Sequence, residues 1–395
     1  MTPSTPADRL HGFDFDAHNA EVKEMWEAFW AGSPTRTPVI VGTNTRFSIL
    51  DPVAGASAPS FQKYMEDPDA MFDAQIAFQR WVRFNILQDA DLGLPATAWW
   101  VSPDFQNTYE AGWFGCEVEF RDGQVPATRP DFEDCPERVM EHGLPDPFGG
   151  SLATGWEFYQ YFKDRASREE YLGRPIEARM PGFGYGSDGV MTVACNLFGA
   201  DFVCTTMATD PDRLHQLFDF IVQATIERVT AWRAREGLPR KRDSFIYADD
   251  SIALISTRMY REHVLPFHKM VFDALGTQYG RGIHLCGDAT RHFKTLQDEL
   301  NINWFDTGFP VDFARIREEL GPDACIQGGP HVELVHAGTP GQVYDESVRI
   351  LQTGVLTGGK FVLREGNNLA PGTPVENTES MYRAAREHGW KADDI

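Results

Sequence analysis

Gly282-Ile283-His284-Leu285-Cys286-Gly287-Asp288 is a short apolar run that breaks off into polar residues and glycine. Side chains alternate along a strand with period two, so His284 and Cys286 project from the same face. An imidazole nitrogen and a thiolate presented together at a strand end make half of a zinc site, and two ligands never complete one. The competing reading is a buried Cys acting as a small hydrophobe beside a hydrogen-bonded His. Gly287-Asp288 stops the strand, and Asp288 is expected to cap a helix over 289–300. Polar side chains at the C-terminal end of a strand are where α/β barrels keep their chemistry.

Working outward, the last third of the chain repeats the pattern. Ile302-Asn303-Trp304-Phe305 runs into Asp306, Ala324-Cys325-Ile326 into Gln327-Gly328-Gly329, and Lys360-Phe361-Val362-Leu363 into Arg364-Glu365-Gly366. Helical patterns over 312–320, 340–353 and 376–388 fall around and between them. Upstream, 37–42, 84–87 and 244–248 read as strands and 182–193 as strand and loop. Helices are expected near 22–30, 67–82, 211–235 and 257–275. Short apolar strands alternating with amphipathic helices imply a parallel sheet. The count approaches eight, with polar residues after nearly every strand: Asn44 and Arg46, Asp89 and Asp91, Asp249 and Asp250, His284 and Cys286, Asp306, Gln327 and His331, Glu365 and Asn367. A closed (β/α)8 TIM barrel gathers all of these at one mouth, which a doubly wound open sheet does not. The aromatic, Pro-rich stretch 97–150 breaks the rhythm and reads as an insertion or lid on a single domain spanning 1–395.

Composition narrows the partners. The 395 residues are 42% hydrophobic, with 28 Phe and 10 Trp to build a core. A net charge of −22 argues against nucleic acid and anionic membranes, so positive charge must be local wherever an anionic substrate binds. The six cysteines form no CxxC pair. The start lacks the order of a signal peptide, and no run of about 18 apolar residues offers a membrane span. A cytoplasmic protein with free thiols is the expectation.

Several motifs in fixed order go further. They are His284-Leu285-Cys286-Gly287-Asp288, Gln327-Gly328-Gly329-Pro330, Gly338-Thr339-Pro340-Gly341-Gln342-Val343, Gly358-Gly359-Lys360-Phe361-Val362-Leu363 and Pro371-Gly372-Thr373-Pro374-Val375-Glu376-Asn377. Together they resemble the uroporphyrinogen decarboxylase superfamily, which also contains corrinoid:coenzyme M methyltransferases. Weaker likeness reaches upstream to Arg36-Thr37-Pro38-Val39, leaving out 97–150. The resemblance implies a (β/α)8 barrel and two possible chemistries. The decarboxylase branch holds substrate carboxylates with a paired-Arg loop after the first strand and an Asp after the second; here the loop offers Arg46 alone. The methyltransferase branch binds zinc through His-x-Cys and a Cys after the last strand. His284 and Cys286 match the first two ligands, and Asn367 stands where that last Cys is expected. Glu365 is then the best substitute ligand and His331 the next, with an open fourth position for a substrate thiol, alkoxide or water.

The remaining candidates carry two readings each. Arg46 clamps a carboxylate or phosphate, or forms an ordinary ion pair. Asp249 and Asp250 position a substrate group or act as general base, or one of them caps a helix. Asp306 is an acid with a raised pKa, or it orients His284. Tyr185 and Asp188 lie in a glycine-rich loop that could approach a ligand, and Tyr247 either donates a hydrogen bond to substrate or fills the core. Asp89 and Asp91 are taken as substrate-binding. The first functional reading is metal-assisted methyl or one-carbon transfer on a small molecule. The second is cofactor-free decarboxylation or lysis of a small carboxylate, with Arg46 holding the acid and Asp89, Asp249 or Tyr185 handling the proton. The third is a barrel that binds a small molecule or corrinoid without chemistry. No corrinoid-binding domain is recognisable in the chain, so the methyl partner would be a separate corrinoid carrier protein or a folate. The aromatic 97–150 stretch would also serve a homodimer contact.

Overall fold

Five strands lie parallel and in chain order in the computed structural model, which describes residues 8–51 and 58–390. They are Phe245–Ala248, Arg281–Leu285, Trp304–Thr307, Cys325–Gly328 and Phe361–Leu363, each followed by helix. Extended segments carry the wall on at both edges. Ile40 N donates to Leu363 O at 3.1 Å, Asp89 N donates to Val39 O at 2.7 Å, and Asp188 bridges Ala248 on the far side. These outer segments make isolated bridges rather than ladders: Pro38 lacks an N–H to contribute, and Gly182, Gly184, Gly186 and Gly189 weaken the pairing of their stretch.

Three expected boundaries shift. The helix capped by Asp67 runs from Pro68 through Asn85, so only the residues from Ile86 onward are extended where a strand over 84–87 was expected. The 182–193 stretch is a short helix, Gly182–Tyr185, then a loop, with a second helix starting at Val190. Asp288 caps nothing with its side chain: the helix proper starts at Phe293, after a 3-10 turn, and the Asp288 carbonyl takes the Arg291 guanidinium instead.

Strand alternation sorts the side chains into two faces. Outward residues such as Tyr247, Ile283, Phe305, Ile326 and Leu363 join one continuous core with the covering helices. Inward residues form two rungs in register. The lower is Ile246, Gly282, Trp304 and Cys325; the upper is Ala248, His284, Asp306 and Gln327. Phe29 of the Phe15–Trp30 helix packs against Cys325 and Val362, closing that side of the lower rung. Its full burial is worth roughly 2–3 kcal/mol.

The 97–150 stretch is folded onto the rest. Trp99–Val101 pairs with Arg174–Ala178, and Trp99, Phe105 and Trp113 share an aromatic cluster with Phe162 and Trp232. From the Tyr109–Phe114 helix, Glu110 reaches Arg228 of the Pro211–Arg235 helix at 2.8 Å, both almost wholly buried. No single helix among the described residues is long and apolar enough to cross a membrane.

Candidate metal centre at the barrel mouth

The Arg281–Leu285 strand delivers His284 to the upper rung and, one step beyond its end, Cys286 to the rim. His284 Nδ1 lies 2.7 Å from Asp306 Oδ2 and its Nε2 lies 3.1 Å from Cys286 Sγ. A carboxylate on Nδ1 fixes the ring and the tautomer, leaving Nε2 facing the thiol and the mouth. Asp306 is thus placed to orient the His284 ring. Asp250, just past the neighbouring strand, accepts the Cys286 N–H at 2.6 Å. Ligand atoms of Asp250, His284 and Cys286 all fall within 4.8 Å of one another, a grouping able to hold a metal ion. All three side chains are half-buried. The donor set is one oxygen, one nitrogen and one sulfur, with two anionic charges to balance a divalent ion, and it fits zinc.

Electrostatics bind the pair together. Burial alone would lower the His284 imidazole, but its bonds to Asp306 and Cys286 outweigh that and raise it to about 11. Burial pushes the Cys286 thiol up, against the pull of His284. Arg364, the residue after the last strand, donates Nη1 to Asp306 at 2.9 Å and Nη2 to the Asn367 carbonyl at 2.9 Å. Sequence reasoning passed over Arg364, although its inward direction follows from the alternation Val362, Arg364.

The expected third ligands lie elsewhere. Glu365 is wholly buried and stands outside the donor group, accepting the Gly42 N–H at 2.8 Å. A Cβ on Gly42 would stand 2.3 Å from its Oε1, so that close approach requires glycine. His331 caps the Val332–Ala337 helix, taking the Glu333 N–H on Nδ1 at 3.0 Å, and its ring packs on Phe309. Asn367 contributes its carbonyl to Arg364 rather than a ligand atom.

Other candidates prove architectural. Asp89 is buried beneath a bidentate Arg36, at 2.6 Å to each oxygen, and also takes the Val39 N–H. Asp249 is wholly buried and caps the Val190–Phe198 helix through Thr192 N and Oγ1, at 2.8 and 2.7 Å, with His268 Nε2 at 2.8 Å. Tyr247 sits among Phe245, Phe272 and His268 in the core. The Tyr185 ring lies under Arg242, which precedes the Phe245–Ala248 strand, so it stands at the end of the barrel opposite Cys286. Asp91 is exposed on the rim of a separate cavity of about 520 Å³ that Asn44 and Asp104 also line.

Two further residues lie beside the donors. Arg46 is half-buried; burial lowers its guanidinium, partly offset by the charges of Asp104 and Cys286, and its Nε has no hydrogen-bond partner among the described residues. Asp188 is half-buried beside Asp250, its carboxyl pushed well above the usual range by burial and then by Glu110, Asp250 and Asp249. Glu110 and Arg228, which hold the Asp188 loop, left no sequence signal.

Residues 101–388 match the family model for uroporphyrinogen decarboxylase. The chain belongs to the uroporphyrinogen decarboxylase family. A methylated-thiol–coenzyme M methyltransferase of Methanosarcina mazei is 30% identical over 297 residues, covering 72% of this chain and 71% of that protein. A uroporphyrinogen decarboxylase of Pelobacter propionicus is 26% identical over 54% of this chain and 62% of its own length. A methylcobamide:CoM methyltransferase of Methanosarcina acetivorans is 25% identical over 35% of this chain and 39% of its own length. In structure, a methyltransferase from Methanosarcina mazei superposes with a TM-score of 0.63 at 19% identity, covering 93% of this chain and 98% of that one. This member of the uroporphyrinogen decarboxylase family thus has the family's (β/α)8 barrel, and its relatives are methyltransferases and decarboxylases.

One family position makes a prediction of its own. Burial raises the Glu365 carboxyl to about 8, against lowering by Arg364 and the Gly42 N–H, while the unfolded chain titrates it near 4.5. The folded protein therefore holds a proton that the unfolded chain has lost, and stability falls as pH rises from about 4.5 to about 8. Glu365→Gln is expected to abolish that fall, on the order of 4 kcal/mol. Urea midpoints of both proteins at pH 5.5 and 8.5 check it; parallel pH dependence would refute it.

Proposed function

We propose that the chain catalyses metal-assisted transfer of a methyl group or related one-carbon unit to or from a small molecule at the mouth of its barrel. The observation that carries this is the convergence of Asp250, His284 and Cys286, with His284 already oriented by Asp306. Asp250, His284 and Cys286 would hold the ion, which when bound would supply Lewis-acid charge favouring the anionic form of a substrate sulfur or oxygen at neutral pH. The protein residues do the rest. Asp306 and Arg364 hold the imidazole in place, and Asp250 holds the Cys286 backbone. Arg46, a half-buried cation near Cys286 whose Nε has no partner among the described residues, draws an anionic part of the substrate or carrier to the same place.

Likeness to proteins named as methylcobamide:CoM and methylated-thiol–coenzyme M methyltransferases supports the reading. It also favours a separate corrinoid carrier protein as the methyl partner. The decarboxylase alternative draws less support, because of its three candidate proton handlers Asp89 is engaged by Arg36, Asp249 by Thr192 and His268, and Tyr185 lies under Arg242. The test is anaerobic incubation of zinc-loaded protein with free methylcobalamin and 2-mercaptoethanol. Protein-dependent loss of the methylcobalamin absorption, with formation of the thioether, is expected. No methyl transfer in either direction, together with release of carbon dioxide from carboxylic acids, would overturn it in favour of decarboxylation.

A further inference from the structure

Two neighbouring groups on the upper inward rung lack hydrogen-bond partners among the described residues. Asp306 Oδ2 accepts from both His284 and Arg364, whereas its Oδ1 is buried with no hydrogen bond among those residues. Gln327, its register partner on the next strand, is only 6% exposed. Thr307 Oγ1 donates to the Gln327 backbone carbonyl, but the side-chain amide has no hydrogen-bond partner among the described residues. Buried polar side chains are nearly always satisfied, so the enclosed Asp306 Oδ1 calls for an occupant, and the neighbouring Gln327 amide is free to meet the same one. Both stand within two strands of His284, roughly 10 Å at the inter-strand spacing. An extended three-carbon chain, with a sulfur–metal bond at one end and a hydrogen bond at the other, reaches about that far.

We propose that Asp306 Oδ1 and the Gln327 amide bind a hydroxyl group of the small-molecule substrate, the hydroxyl donating to the carboxylate and accepting from the amide N–H. The chemistry selects that group. A carboxylate or phosphate would meet the Asp306 charge head-on. An ammonium would be superfluous, since Arg364 already neutralises that carboxylate. A hydroxyl uses both an acceptor and a donor with no added charge. Gln327 is thus a specificity-determining residue, and the inference rests on the methyl-transfer reading insofar as the substrate's reacting atom sits at the metal donors.

The test compares 3-mercapto-1-propanol with 1-butanethiol, which differ only in a terminal hydroxyl against a methyl. Their affinities for zinc-loaded wild type and Gln327→Leu are measured by titration calorimetry. The ratio favouring the alcohol is expected to fall about fivefold to tenfold in Gln327→Leu, the usual worth of one neutral hydrogen bond. Gln327→Met, closer in length, gives the same readout should the leucine variant fail to fold. A ratio unchanged within twofold overturns the inference and leaves the amide to solvent. Zinc stoichiometry is read in the same samples: a wild type that binds no zinc overturns the functional reading, whereas an unmoved ratio with zinc present overturns this inference alone.

Discussion

Cys286→Ala is expected to slow methyl transfer by about 10²–10³-fold while the barrel stays folded. Sγ projects past the end of its strand into the mouth, half-buried and outside the apolar cores, so its removal leaves little packing undone. The loss is chemical. Without the thiolate, the donor set shrinks to an imidazole and a carboxylate, and the negative charge that balances a divalent ion is halved. Metal-derived charge stabilisation is commonly worth several kcal/mol, and 3–4 kcal/mol corresponds to that range of rates. Methylcobalamin consumption gives the rate, and circular dichroism confirms the fold. A variant with the wild-type rate would remove Cys286 from the reaction.

The two adjacent aspartates are expected to behave in opposite ways. Asp249→Ala should cost about 3–5 kcal/mol of stability, because it strips a wholly buried carboxylate from His268 and from the start of the Val190–Phe198 helix. The site is also sterically keyed: a Cβ on Gly189 would stand 2.1 Å from the Asp249 side chain, so no other residue fits between them. Asp250→Asn should leave stability close to wild type and instead lower zinc content, since that side chain is half-buried and stands among the donors. Urea midpoints and zinc content on the two variants separate the roles. Equal stability losses from both substitutions would show that neither aspartate serves the metal in particular.

The barrel was legible because its signals are periodic. Apolar strands ending in polar residues recur through the last third, and the five laddered strands include all four that this rhythm and the His-Cys motif mark out there. The first half was harder, since Pro38 and the glycines of 182–189 replace ladders with isolated bridges. Two of the three donors were visible in His284 and Cys286, which parity alone puts on one face. The third donor was not. Asp249 and Asp250 are adjacent and chemically identical in sequence, and only the turn after Ala248 sends one into the core and the other to the mouth. Glu365 was an attractive ligand by family position, yet alternation from Val362 and Arg364 turns it outward against Gly42. Glu110 belongs to the aromatic stretch that looked like a lid, and its pairing with Arg228 across 118 residues has no local pattern.

The measurement that tests the central claim most directly is the zinc edge X-ray absorption spectrum of protein purified without a histidine tag, with metal content per chain determined alongside. About one zinc per chain, with one sulfur and the rest nitrogen and oxygen in the first shell, and loss of that metal in Cys286→Ala, is the result expected from Asp250, His284 and Cys286. A wild type that takes up no zinc on reconstitution, or zinc retained in Cys286→Ala with no sulfur in its shell, would contradict it.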